Sequence, residues 1–291
     1  MTGAAPLSFR DRRLPGGTVR LLDLPGEGPP VVFLHGLAGR IENWERTWPS
    51  LAGRRVLAAD LPGHGDSDRT DAAYDRPFFR AFLASLADAE RLDGAVWIGH
   101  SMGGWMLLDF AAASPDRVGA LVLVSPAWRI EPPVPPAMLE PALRAAMLSG
   151  RGARARIRTG PVGTVVGRIL GHDKSGAARL AEMTLPWLER PDAERTFRAF
   201  VRCAEALLRD PLPEKTLQAV RCPLLSVWGE EDTLCPPRAA GRFAALRSGG
   251  GHASDRHERW AGVGHLPMWE RPGKFNDLLA AFLRSLSSRA P

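Results

Sequence analysis

Lysine is nearly missing from this chain: Lys174, Lys215 and Lys274 are the only three among 38 basic residues, and Tyr74 is the only tyrosine. Cysteine is scarce as well, with Cys203, Cys222 and Cys235 widely spaced and odd in number. That pattern makes neither a disulfide framework nor a zinc-ligand cluster, and it points to a reducing, cytoplasmic setting. No apolar run approaches the roughly 20 residues that span a bilayer, so no membrane helix is expected. Residues 1–17 mix small, acidic and basic groups without an apolar block, and no signal peptide is expected there. Internal repeats and long low-complexity segments are absent too. What is present is ordinary globular composition: 291 residues, 45% hydrophobic and 24% charged, room for one large α/β domain or two modest ones.

The net charge is +6. As a total it would suit a nucleic-acid or membrane partner. Its distribution argues otherwise, because residues 129–216 hold 13 arginines and 2 lysines against 10 acids. Within that segment Arg144, Arg151, Arg154, Arg156, Arg158 and Arg168 run without one Asp, Glu or Lys between 141 and 172. The run has no interleaved aromatic residues for base stacking, so neither nucleic acid nor membrane is expected as a partner. A solvated face is the plain reading; an acidic partner or an anionic substrate tail is the sharper one, since the guanidinium fork suits carboxylate and phosphate.

Short β-rich apolar runs at 18–24, 30–34, 55–59, 95–98, 120–124 and 223–227 alternate with helical patterns at 76–91, 103–113, 237–246 and 273–286. This alternation predicts an α/β fold with a mostly parallel, doubly wound sheet. About ninety residues after the strand at 120–124 contain no convincing strand, and Pro-rich stretches bound them. A helical insertion over 129–216 is expected there, a cap or lid on a core built from 1–128 and 217–291.

Gly99-His100-Ser101-Met102-Gly103 matches the nucleophile-elbow pattern G-x-S-x-G between a strand and a helix. The glycines allow a sharp turn that lifts Ser101 above the sheet at a helix N-terminus, where backbone N–H groups favour an oxyanion. His35-Gly36-Leu37-Ala38 ends the strand at 30–34, and Gly36 would let the backbone approach a substrate. The N–H groups of Leu37 and Met102 are the candidate oxyanion hole.

On these residues the chain resembles the α/β-hydrolase fold family, in its cap-bearing serine-esterase group. Asp60-Leu61-Pro62-Gly63-His64-Gly65-Asp66-Ser67 is similar to that family's loop after the fourth strand, and His64 in it reads as structural. The resemblance implies about eight strands, a cap after the sixth, and the chain order Ser, acid, His. It therefore assigns the acid to Asp232, ahead of its neighbours Glu230 and Glu231. The base falls to His265 in Gly264-His265-Leu266-Pro267, followed by Glu270-Arg271-Pro272. A histidine titrates near pH 6.5, so it can take the serine proton and return it to a leaving group. A serine at the elbow excludes the relatives that use Asp there to displace halide or open epoxides.

Among the other histidines, His100 packs against or tunes the elbow, while His172, His252 and His257 are expected at the surface. His35, Gly36, His100 and Trp128 are the candidate substrate contacts. Trp44, Trp105, Trp128 and Trp187 line a pocket or sit in the core; with Met138, Met147 and Met183, Trp128 suggests an apolar acyl or alcohol group on a small-molecule substrate. No set of His, Asp and Glu has the i, i+4 spacing of a catalytic metal site, so no metal or cofactor is expected. The expected activity is carboxylic ester hydrolysis through an acyl-enzyme. The same triad could act on a thioester, lactone or carbon–carbon bond or transfer the acyl group, and a non-catalytic ligand-binding protein is the reading of a different class.

Overall fold

The computed structural model describes residues 7–130, 186, 190–249 and 254–287. Its frame is an eight-stranded sheet: β1 (Phe9–Leu14), β2 (Gly17–Leu24), β3 (Glu27–Leu34), β4 (Arg54–Ala59), β5 (Ala95–His100), β6 (Val118–Val124), β7 (Leu224–Gly229) and β8 (Arg256–Trp260). The strand order is β1-β2-β4-β3-β5-β6-β7-β8. Only β2 runs against its neighbours β1 and β4; every other pairing is parallel.

Helices cover both faces, so the central strands must be apolar on both sides, and they are. All six residues of β5 and all six of β7 are buried. The pleat divides them by parity. Val32, Leu34, Trp97, Leu121 and Leu123 join one core with Phe79, Phe82 and Leu86 of α1 (Arg76–Glu90), Met106 and Phe110 of α2 (Met102–Ala113). Val31, Phe33, Val96, Ile98, Val122 and Val124 join the other, with Trp44 and, from the last helix, Phe275, Leu279 and Phe282. Each fully buried residue of this size contributes about 1.5–3 kcal/mol. α1 starts where the Asp75 carboxylate accepts the Phe78 N–H at 2.9 Å.

The count of eight strands matches the expectation, but the apolar pattern had located only six of them. β1 and β8 form the sheet's two edges, and their sequences FRDRRL and RHERW are dominated by charge. Charged edge strands resist pairing with another chain, and the same charge hides them from an apolar pattern. Arg10 and Arg12 of β1 pair with Glu90.

Between β6 and β7 the described residues contain no strand, and two helices, α3 (Ala193–Arg209) and α4 (Glu214–Ala219). The expected helical run over 138–188, including Trp187 and the arginines at 144–168, lies outside the described residues except for residue 186. α3 and the residues flanking it are tied to the core by ion pairs: Arg190 to Asp66 at 2.7 Å, Arg202 to Asp71 at 2.5 Å and Arg76 to Asp210 at 2.5 Å. Arg69 reaches Thr196 Oγ1 at 2.5 Å. After β7 come α5 (Pro237–Gly249), the short α6 (Pro267–Glu270) and α7 (Pro272–Ser287). Among the described residues no helix is long and apolar enough to cross a membrane.

Candidate active site

The C-terminal ends of the parallel strands gather the candidate residues, the usual place for a site in an open α/β sheet. Ser101 follows β5 and precedes α2 with φ 51 and ψ −114, a left-handed backbone that a non-glycine residue adopts at a cost of about 1–3 kcal/mol. Three backbone hydrogen bonds hold it there. Its N–H donates to the Val124 carbonyl at 2.9 Å, and its own carbonyl accepts from Trp105 at 3.1 Å and Ala127 at 3.0 Å. A side chain at position 103 would collide, since an added Cβ lies 2.7 Å from the carbonyl oxygens of Leu34 and His35. Gly103 is thus required for α2 to start this close to β3. The first N–H groups of α2, Met102 included, have no intrahelical acceptor.

The loop after β3 lies directly against this elbow. A Cβ added to Gly36 would stand 3.0 Å from Ser101 Cβ and 2.9 Å from His100 Nδ1. Gly36 to Gly39 form a turn closed by Gly39 N–H to the Gly36 carbonyl at 3.0 Å, a bond that leaves the Leu37 N–H out of the turn. His35 braces the turn: Nδ1–H donates to the Gly36 carbonyl at 2.7 Å, and Nε2 accepts the Leu61 N–H at 3.0 Å. Both ring nitrogens of His35, a candidate substrate contact, therefore serve the backbone. Burial pushes its pKa down to about 3 and keeps the ring neutral. His64 is likewise buried and lowered to about 3, its Nδ1–H donating to the Pro62 carbonyl and its ring packed on Phe200, which agrees with a structural role.

The candidate acid and base come together from 33 residues apart. His265 Nδ1 and Asp232 Oδ2 are 2.8 Å apart, both residues 3% exposed. Asp232 Oδ1 accepts the N–H groups of Leu234 at 2.9 Å and Cys235 at 2.8 Å, so the carboxylate is aimed by its own loop. Its rivals Glu230 and Glu231 are exposed. The base is held from the far side by Glu270, whose carboxylate accepts the Gly264 N–H at 3.0 Å and the Leu266 N–H at 3.2 Å.

His100 links base to elbow. Its Nε2–H donates to the His265 carbonyl at 2.9 Å, and the two rings pack with centroids 4.8 Å apart. Burial, together with the neighbouring His265, lowers the His100 pKa well below the ordinary value, so it stays an uncharged spacer. Ser101, His100, His265 and Asp232 thus form one contiguous group, with Gly36 and Leu37 beside it.

Other expectations change. Trp128 is 1% exposed and belongs to a core cluster, its indole edge-on to Phe243 at 5.7 Å, with the Arg129 guanidinium 4.6 Å above it. It packs in the core, the second of the two places expected for it, as do Trp44 and Trp105. His257, expected at the surface, is half-buried on β8 with Nδ1 2.8 Å from Ser226 Oγ. Two side chains gained importance. Glu270 had shown itself only as part of a short motif, although its place four residues after Leu266 was a signal. Cys235 had counted only as one of three scattered cysteines. Its Sγ, an Asp232 carboxylate oxygen and a His265 ring nitrogen all lie within 4.8 Å of one another. Burial and the nearby Asp232 push its thiol pKa well above the ordinary value.

The family model described as alpha/beta hydrolase fold matches residues 29–272. The chain belongs to the alpha/beta hydrolase fold family. It is 28% identical over 285 residues to an uncharacterized protein of Mycobacterium tuberculosis, covering 92% of this chain and 79% of that one. Among solved structures it is similar to a meta-cleavage product hydrolase from Pseudomonas fluorescens IP01, with a TM-score of 0.76 at 21% identity, covering 96% and 98% of the two chains. It is also similar to a thermophilic esterase from Thermogutta terrifontis, with a TM-score of 0.71 at 22% identity, covering 96% and 99%. At these identities the two structures bear on the fold alone.

Proposed function

We propose that this protein is a serine hydrolase that cleaves a carboxylic ester through an acyl-enzyme intermediate. The observation that carries the reading is the buried His265–Asp232 hydrogen bond of 2.8 Å, set against the strained Ser101 elbow through His100. Asp232, whose Oδ1 accepts two backbone N–H groups, is positioned for its Oδ2 to fix the proton of His265 on Nδ1. Nε2 then carries the lone pair that accepts the Ser101 proton as Oγ attacks the carbonyl carbon. Negative charge on the tetrahedral oxygen falls to the N–H groups of Met102, at the positive end of α2, and of Leu37. Collapse expels the alcohol, which takes the proton back from His265. Water, deprotonated by the same base, releases the acid.

The strain at Ser101 has a role in this scheme, since it presents the nucleophile in one conformation before substrate arrives. The leaving group is the finer question. An ester, a thioester and a lactone all place a carbonyl carbon at Oγ, and each needs the same base and oxyanion donors. The test is a turnover panel of p-nitrophenyl esters of increasing acyl length, lactones and acyl thioesters, with the Ser101→Ala protein as the blank. Ester turnover that falls to the blank in Ser101→Ala, with an unchanged circular dichroism spectrum, is the expected result. Ester turnover retained by pure Ser101→Ala overturns the assignment.

A further inference from the structure

The ester mechanism leaves one buried group beside the base without a task, the Cys235 thiol. We propose that Asp232, Cys235 and His265 form an inhibitory site for a thiophilic divalent cation, with Zn2+ as the best match. The proposal deepens the proposed function, and its inhibition arm rests on that reading.

The donor set carries the argument. One carboxylate oxygen, one sulfur and one imidazole nitrogen lie within 4.8 Å of one another, all three residues buried. Zinc takes such mixed O, S and N ligands at about 2.0–2.3 Å, which sets tetrahedral donors roughly 3.5 Å apart, so side-chain shifts on the order of 1 Å close the site. Mg2+ and Ca2+ prefer all-oxygen shells and do not match a thiolate. The local chain holds the donors together already. The Cys235 N–H donates to Asp232 Oδ1 at 2.8 Å, and Asp232 Oδ2 is 2.8 Å from His265 Nδ1.

Binding balances without a redox step. The thiol releases its proton to solvent and the sulfur bonds the metal, since a coordinating thiol is deprotonated outright. Zinc takes the Nδ1 lone pair, and the imidazole proton moves from Nδ1 to Nε2. Zn2+ enters and one H+ leaves. The consequence for catalysis is direct: Nε2 becomes a donor and can no longer accept the Ser101 proton. The cation stops the enzyme by switching the tautomer of its base.

The experiment titrates ZnCl2 into a p-nitrophenyl ester assay of the full chain, with MgCl2 as control, and compares wild type with Cys235→Ala and Cys235→Ser. Both variants keep the backbone N–H that serves Asp232, so their metal-free turnover is expected at the wild-type level. Zinc is expected to inhibit wild type reversibly on EDTA addition, Mg2+ to have no effect, and the half-inhibiting zinc concentration to rise at least about tenfold in both variants. A second readout is independent of turnover. Co2+ added to wild type or to Ser101→Ala should give thiolate-to-cobalt charge-transfer absorption, and both Cys235 variants should lose it. Equal zinc sensitivity in wild type and variants, or no cobalt–thiolate absorption in wild type, overturns the site. Failure of the serine-hydrolase reading would appear separately, as turnover that survives in Ser101→Ala.

Discussion

Glu270 offers the sharpest test of how the base is held. Its carboxylate is buried and accepts the backbone N–H groups on either side of His265, at 3.0 Å from Gly264 and 3.2 Å from Leu266. Glu270→Ala removes the acceptor and leaves two buried donors unpaired, each costing about 1–3 kcal/mol, so the loss is about 2–6 kcal/mol, toward the lower end where water enters the gap. In a chain of this size that corresponds to a fall in Tm of roughly 3–10 °C. The freed loop carries the imidazole with it, and a misplacement on the order of 1 Å lowers the rate about 10²-fold. The loss should appear in kcat and leave KM nearly unchanged, because His265 moves a proton and does not bind substrate. Glu270→Gln keeps one carbonyl acceptor and should fall between Ala and wild type in both Tm and kcat. The assay is p-nitrophenyl ester turnover beside a thermal melt. Glu270→Ala with wild-type kcat and a Tm within about 1 °C would refute the reasoning.

Asp232→Asn should lower kcat by about 10⁴-fold, by favouring the wrong tautomer of His265, while exposed Glu231→Gln stays near wild type; the reverse outcome would move the acid to Glu231. Acid stability follows from the three buried neutral histidines, His35 and His64 with pKa lowered to about 3 and His100 lowered well below its ordinary value. A histidine whose folded pKa is depressed stabilises the fold above its unfolded pKa of about 6.5, and that contribution is lost as pH falls below it. Between about pH 6.5 and 5.5 each should cost about 1 kcal/mol, some 3 kcal/mol together. Urea unfolding across that range measures it, His64→Gln should flatten the slope by about a third, and a flat wild-type profile would contradict the account.

Legibility tracked how locally a residue's role is determined. The central strands announced themselves because burial on both faces demands unbroken apolar runs, as in the Val96-Trp97-Ile98 stretch of β5. The edges β1 and β8 did not, because an edge strand carries charge for solubility and so lacks that pattern. The elbow was readable because its backbone geometry requires small residues at fixed offsets, and the chain order of the resembled family singled out Asp232 and His265, which the fold sets 2.8 Å apart. His35 and Trp128 share a different situation. Their positions beside the site were visible in sequence, but the partners that occupy them, backbone groups at Gly36 and Leu61 for one and Phe243 for the other, are tertiary. Glu270 and Cys235 come beside Asp232 and His265 only through the fold, so their types alone did not single them out.

The central claim is that Ser101 is the nucleophile activated by His265. Labelling the native protein with an alkyl fluorophosphonate and mapping the adduct by peptide mass spectrometry tests it most directly. A single adduct on Ser101, loss of ester turnover in proportion to labelling, and labelling much slowed in Asp232→Asn are expected. An adduct on another residue that abolishes turnover, or full inactivation with Ser101 unmodified, would contradict it.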